Sequence, residues 1–150
     1  MNVLFVCTGN TCRSPMAAGL FKKIVREKNL KDVNILSAGI SADNDSGATQ
    51  NAIKACEELG VDLKNHTSKS IFDVNLNQID RFIVMTDMHR SFLVNLGVKN
   101  EKIFVLGEQI SDPFGGSLEV YERCRDQIYN ALCELIESPD FMSDNREKNA

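Results

Sequence analysis

A three-layer α/β/α domain built on a parallel sheet is the fold class that the sequence predicts, and three observations carry the prediction. Short apolar runs rich in β-branched and aromatic residues recur along the chain, each too short for a helix. Between them lie segments whose apolar residues fall at helical spacing, several of them ending in glycine. Strands separated by helices need right-handed crossovers, so the strands run parallel and a ligand site falls at their C-terminal ends.

The elements follow in order. Val3-Leu4-Phe5-Val6 is a strand buried on both faces, and it stops at Cys7. After the polar turn Thr8-Gly9-Asn10-Thr11-Cys12-Arg13, Ser14 and Pro15 are of the types preferred at an N-cap and first helical position, ahead of Ala17, Leu20, Phe21 and Ile24. Val33, Ile35 and Leu36 mark a second strand, the stretch from Ala38 to Gly47 a polar loop, and Ala52, Ile53, Cys56 and Leu59 a helix from about Thr49 to Gly60. Arg81 to Met85 is a third strand, followed by a short helix from about His89 to Leu96 before Gly97, and Ile103 to Leu106 is the fourth. Asp112-Pro113-Phe114-Gly115-Gly116 is a loop, and Leu118, Tyr121, Cys124, Ile128, Leu132 and Leu135 trace one face of a long last helix.

With 150 residues at 43% hydrophobic content, the chain has material for one core, expected over residues 1–137, with a frayed polar tail from Ser138 to Ala150. A formal charge of −4 gives no electrostatic case for nucleic acid or an anionic membrane. No run approaches the ~18 apolar residues of a membrane span, and Met1-Asn2-Val3-Leu4 lacks the marks of a secretory signal. A soluble, cytoplasmic monomer is the expectation. Five cysteines, an odd number, read as thiols in a reducing compartment. With two histidines and no clustered thiolates, no metal site or other cofactor is expected.

The chemically informative segment is Cys7-Thr8-Gly9-Asn10-Thr11-Cys12-Arg13-Ser14. A loop turning from a strand end into a helix start can point successive backbone N–H groups into one concavity, to which the helix adds partial positive charge. Such a cradle binds oxyanions. Cys7 at its start is expected to have its thiolate favoured by those dipoles, by Arg13 and by the Ser14 hydroxyl, whereas a free thiol of pKa ~8.5 is little ionised at neutral pH. Arg13 offers paired donors to two phosphoryl oxygens, and a cation in a first helical turn makes sense beside an anion. Taken alone, Cys7 reads first as a small buried hydrophobe at a strand end, and it is the conjunction with Arg13 that points to chemistry. Asp112, on a loop over the same strand ends, is a candidate to protonate a leaving group, although Asp-Pro followed by Phe-Gly-Gly alone is simply a turn.

Val6-Cys7-Thr8-Gly9-Asn10-Thr11-Cys12-Arg13-Ser14-Pro15 together with Asp112-Pro113-Phe114-Gly115-Gly116 resembles the low-molecular-weight protein-tyrosine phosphatase family, and the likeness extends over roughly residues 1 to 137. The resemblance implies a four-stranded parallel sheet in the order 2-1-3-4. It implies Cys7 as nucleophile, Arg13 as phosphate ligand, Ser14 as support for the thiolate and Asp112 as general acid. Thr8, Gly9, Asn10, Thr11 and Cys12 complete the phosphate-binding loop, with Asn10 organising it. Cys12 reads either as a filler at the loop's base or as a partner that traps an oxidised Cys7 in a disulfide, the protective role the family implies. Cys56, Cys124 and Cys133 read as core. His66 looks like a histidine that bonds Asn10 from behind the loop, with a plain surface histidine as the other reading.

Two departures from tyrosine-specific members bear on the substrate. Thr11 stands where those enzymes carry a larger aliphatic residue, and Phe114-Gly115 stands where they carry two tyrosines. Ile40-Ser41-Ala42-Asp43 also lacks an aromatic to wall a phosphotyrosine ring. These features resemble the bacterial protein-arginine phosphatase branch, in which the threonine favours phosphoarginine and the aspartate also contacts the guanidinium. A guanidino group carries several N–H donors that a threonine oxygen and a carboxylate can satisfy. Thr11 and Phe114 are therefore the expected specificity positions, and phosphorylated proteins the expected partners. Phosphotyrosine is the alternative substrate and a phosphocysteine carrier the more remote alternative. An arsenate reductase needs further redox cysteines after the third strand, and residues 81–123 contain none.

Overall fold

The computed structural model describes residues 1–143. Four strands, β1 (Asn2–Cys7), β2 (Asn34–Gly39), β3 (Arg81–Val84) and β4 (Ile103–Val105), form one sheet in the order β2-β1-β3-β4. Every pairing is parallel, with Cys7 opposite Gly39 and Val6 opposite both Ala38 and Val84. Alternation along β1 sends Val3, Phe5 and Cys7 into one apolar core and Leu4 and Val6 into another. An unbroken apolar strand is what this demands, because both faces of β1 are covered.

On the Phe5 side lie α1 (Arg13–Glu27), α2 (Gln50–Glu57) and α4 (Leu118–Ile136). On the Leu4 side lie α3 (Asp87–Asn95) and the turns around Ile71 and Ile79. The expected helices are present, with two refinements. In α4 the buried face includes Arg125 and Ile136, while Leu118 and Leu135 sit at the core's edge. Arg125 tolerates burial because its guanidinium donates to the Ala55 carbonyl at 2.7 Å and to Glu58 and Asp126, each at 2.9 Å. Among the described residues, no helix is long and apolar enough to cross a membrane.

Two expectations need correction. Ser14 is not the N-cap of α1. Cys12 occupies that place without a side-chain cap bond, because the Ser14 hydroxyl is engaged by Cys7 and Asn10 instead. Nor does order stop at residue 137. Pro139–Met142 form a helical turn, α5, and Phe141 is wholly buried. Its ring meets Phe21 and Phe104 edge-on, with centroids at 6.1 and 5.3 Å, and its carbonyl accepts from Arg81 Nε at 2.8 Å. One aromatic ring outweighs the polar composition around it. The rest of the expected tail, residues 144–150, lies outside the described residues.

Candidate active site

Residues 8–12 turn from the carboxyl end of β1 into α1, and the loop's carbonyls are held by donors outside it. The Cys7 carbonyl accepts from the Ile40 amide at 3.0 Å, Thr8 from Ser41 at 2.9 Å, Thr11 from Thr49 at 2.9 Å and Cys12 from Met16 at 3.1 Å. His66 Nε2 lies 2.8 Å from the Asn10 carbonyl, so this nitrogen carries the ring proton and donates it. In a trans peptide the N–H points opposite to the carbonyl. Carbonyls drawn outward therefore turn the amides of Thr8, Gly9, Thr11, Cys12 and Arg13 the other way, and separately the Asn10 amide reaches the Cys7 sulfur, at 3.3 Å. Gly39 makes the close approach possible: a Cβ there would stand 2.4 Å from the Thr8 carbonyl oxygen.

Asn10 is the organiser. Its φ of 57° puts it in the left-handed region, which asparagine tolerates better than most residues. Both of its side-chain polar atoms are engaged, with Oδ1 accepting from the Lys69 amide at 2.9 Å and Nδ2 donating to Ser14 Oγ at 2.7 Å. Since Ser14 Oγ accepts that proton, its own hydrogen is free for Cys7 Sγ, 2.9 Å away. A directed chain thus runs from the Lys69 amide through Asn10 and Ser14 to the sulfur. Burial nevertheless pushes the Cys7 thiol up from its ordinary value, against the sequence expectation of a depressed one. The Ser14 hydroxyl and amide, the Arg13 charge and the Asn10 amide pull the other way, and desolvation exceeds them.

Arg13 is buried in the first turn of α1. One terminal nitrogen donates to the Ile110 carbonyl at 2.9 Å and the other to Thr8 Oγ1 at 3.5 Å. That second nitrogen is also 3.7 Å from Asp112 Oδ2, so the two candidate residues from opposite ends of the chain meet. The Asp112 side chain is 51% exposed, and its Oδ1 accepts from the Phe114 amide at 3.1 Å, which sets the loop's turn. Phe114 is 72% exposed on the same loop. Thr11 lies beside Cys12, with its hydroxyl 3.8 Å from that sulfur. Cys12 Sγ is also 3.2 Å from the Tyr121 hydroxyl and 3.6 Å from that of Thr49. All five cysteines are free thiols.

The sequence reading missed Tyr121, Thr49 and Gly39 as supports of the loop, and it missed a pair on α3. His89 is wholly buried, with Nε2 3.0 Å from Thr8 Oγ1 and Nδ1 3.1 Å from Thr86 Oγ1. A threonine and a histidine three positions apart, just after the third strand, were the available signal, since the carboxyl edge of a parallel sheet is where ligands bind.

A family model described as "Low molecular weight phosphotyrosine protein phosphatase" matches residues 2–142. A Bacillus subtilis (strain 168) protein named protein-arginine-phosphatase is 38% identical over 143 residues, covering 90% of this chain and 94% of that one. A Staphylococcus haemolyticus (strain JCSC1435) protein named low molecular weight protein-tyrosine-phosphatase PtpB is 34% identical over 141 residues, covering 90% of this chain and 97% of that one. A solved structure described as the YwlE arginine phosphatase, a C7S mutant with phosphorylated active site serine, matches with a TM-score of 0.87 at 34% identity, over 97% of this chain and 99% of that one. The agreement extends over nearly the full length of each chain, and the chain belongs to the low molecular weight phosphotyrosine protein phosphatase family.

Proposed function

We propose that this phosphatase hydrolyses phosphoarginine in proteins of the cytoplasm through a phosphocysteine intermediate on Cys7. The observation that carries the catalytic reading is the placement of Cys7 Sγ, 2.9 Å from Ser14 Oγ and 3.3 Å from the Asn10 amide, in a loop whose carbonyls face out. The inward amides of residues 8–13 and the Arg13 guanidinium bind the phosphoryl oxygens. The sulfur attacks phosphorus, the bond to the leaving nitrogen breaks, and Asp112 delivers the proton that nitrogen needs. When the sulfur starts as a thiol, its one proton passes to the Asp112 carboxylate and is the same proton that Asp112 hands to the leaving nitrogen, so the step balances. Water then cleaves the phosphorus–sulfur bond with Asp112 as base, and phosphate leaves.

The substrate class rests on Thr11, Asp112 and the absence of an aromatic wall at residues 40–43, and the arginine-phosphatase relatives support it. The threonine oxygen and the aspartate carboxylate are acceptors for guanidino N–H groups that an aromatic ring leaves unpaired. Phosphotyrosine remains the second reading, favoured by the exposed Phe114 ring at the loop's edge and by the tyrosine-phosphatase relative. The test compares kcat/KM for matched phosphoarginine and phosphotyrosine peptides in the wild type and in Thr11→Ile. A preference for phosphoarginine that falls by about tenfold in the variant supports the assignment; an unchanged preference removes Thr11 from it.

A further inference from the structure

Arg13 is aimed by a line of side chains that the mechanism above does not use. Thr86 Oγ1 caps α3, accepting the His89 amide at 3.4 Å, and lies 3.1 Å from His89 Nδ1. His89 Nε2 lies 3.0 Å from Thr8 Oγ1, which accepts from Arg13 at 3.5 Å. We propose that His89 is a positioning residue for Arg13, acting through the Thr8 hydroxyl. The inference rests on the reading of Arg13 as the phosphoryl-binding cation.

The proposed line takes the tautomer with the ring proton on Nδ1: the Thr86 oxygen has room for that proton as well as the amide, and Nε2 keeps a lone pair. The Thr8 hydroxyl has a single hydrogen. Donating it to Nε2 turns the lone pairs of that oxygen toward Arg13. Without the histidine the hydroxyl can rotate its hydrogen toward the guanidinium, and a donor then faces a donor. With it, the guanidinium is held at two points, by Thr8 on one terminal nitrogen and by the Ile110 carbonyl on the other. Two anchors fix the plane of a rigid fork, and the plane decides how well its remaining donors meet phosphoryl oxygens. The charged groups facing the ring are Arg13 and Asp112. Burial and then Arg13 push the imidazole down to about 4, against Asp112, so the ring is neutral and keeps its acceptor nitrogen.

The experiment measures inhibition by inorganic phosphate, kcat and KM with p-nitrophenyl phosphate, and the thermal midpoint. His89→Leu is expected to raise the phosphate inhibition constant and to lower kcat/KM, each by about tenfold. Thr8→Val is expected to do the same, and the double variant to be no worse than either single one. His89→Gln places an amide oxygen near the old Nε2 and is expected to recover most of the loss. Losses that add in the double variant, a His89→Leu enzyme within about twofold of wild type, or a His89→Gln enzyme as poor as His89→Leu, each overturn the proposal. Should His89→Leu not fold, loss in Thr8→Val with recovery in Thr8→Ser supports it, and equal activity of those two overturns it. Arg13→Ala is the reference. If it leaves phosphate inhibition intact, the proposed function fails; if it abolishes inhibition while His89→Leu does nothing, only the role of His89 fails.

Discussion

The Tyr121 hydroxyl lies 3.2 Å from the Cys12 sulfur, so α4 grips the loop that carries Cys7 from a position 109 residues away in the chain. Burial and then the Cys12 contact push the phenol up to about 12, and it stays protonated as a donor. Tyr121→Phe keeps the ring and removes the hydroxyl. The expected cost is about 1 kcal/mol of stability, read as a lower urea midpoint with an unchanged slope.

Cys12 also bears on recovery from oxidation. If it traps an oxidised Cys7 as a disulfide, peroxide treatment followed by dithiothreitol restores activity in the wild type. Cys12→Ser is then expected to lose activity irreversibly under the same dose, because nothing intercepts the sulfenic acid. Mass spectrometry of the Cys7 peptide checks it. Equal recovery in the two proteins assigns Cys12 to packing alone.

Ser14 offers a prediction in pH. Its hydroxyl and amide are the strongest of the groups that lower the Cys7 thiol. Ser14→Ala removes the hydroxyl, so the thiol rises further and the limb of kcat/KM that climbs with pH moves to higher pH. Near neutrality kcat/KM is expected to fall by about tenfold. Alkylation of Cys7 by iodoacetamide against pH reads the shift directly, with wild type as the reference.

His89 has a second signature, in stability. Its value falls from the usual 6.5 to about 4 in the folded protein, so between those values the unfolded chain binds the proton and the folded one does not. Stability from the neutral ring is fully present above about pH 6.5 and declines as pH falls toward 4, by about 3 kcal/mol once both states are protonated. Burial lowers His66 as well, so it adds to the same slope. His89→Gln is expected to flatten the dependence, measured as urea midpoints across that range. A slope unchanged in the variant refutes the account.

What the sequence reveals of this molecule is mostly what local pattern encodes. Val3 to Val6 announces a doubly covered strand, Gly60 and Gly97 close helices, and Cys7 through Ser14 announces the turn from β1 into α1. His66 reaches Asn10 as the family likeness implies. What stays hidden depends on partners far along the chain. Thr8 meets His89 across 81 positions, and no window of sequence displays that. Ser14 misleads for a related reason: its residue type suits an N-cap, but Asn10 and Cys7 offer it a better-paired site. The Cys7 thiol misleads because donors are visible in a motif, whereas desolvation appears only once the core closes around it.

Phe141 carries a practical consequence for anyone shortening this chain. Ending it after residue 137, where composition turns polar, would leave a ring-sized hole beside Phe21 and Phe104. Arg81 would also lose the Phe141 and Ser143 carbonyls that accept from its guanidinium. Arg81 starts β3, at the sheet margin opposite Cys7, so the damage would begin far from the chemistry. Such a trimmed protein should digest readily in a protease assay while its surviving folded fraction still turns over substrate.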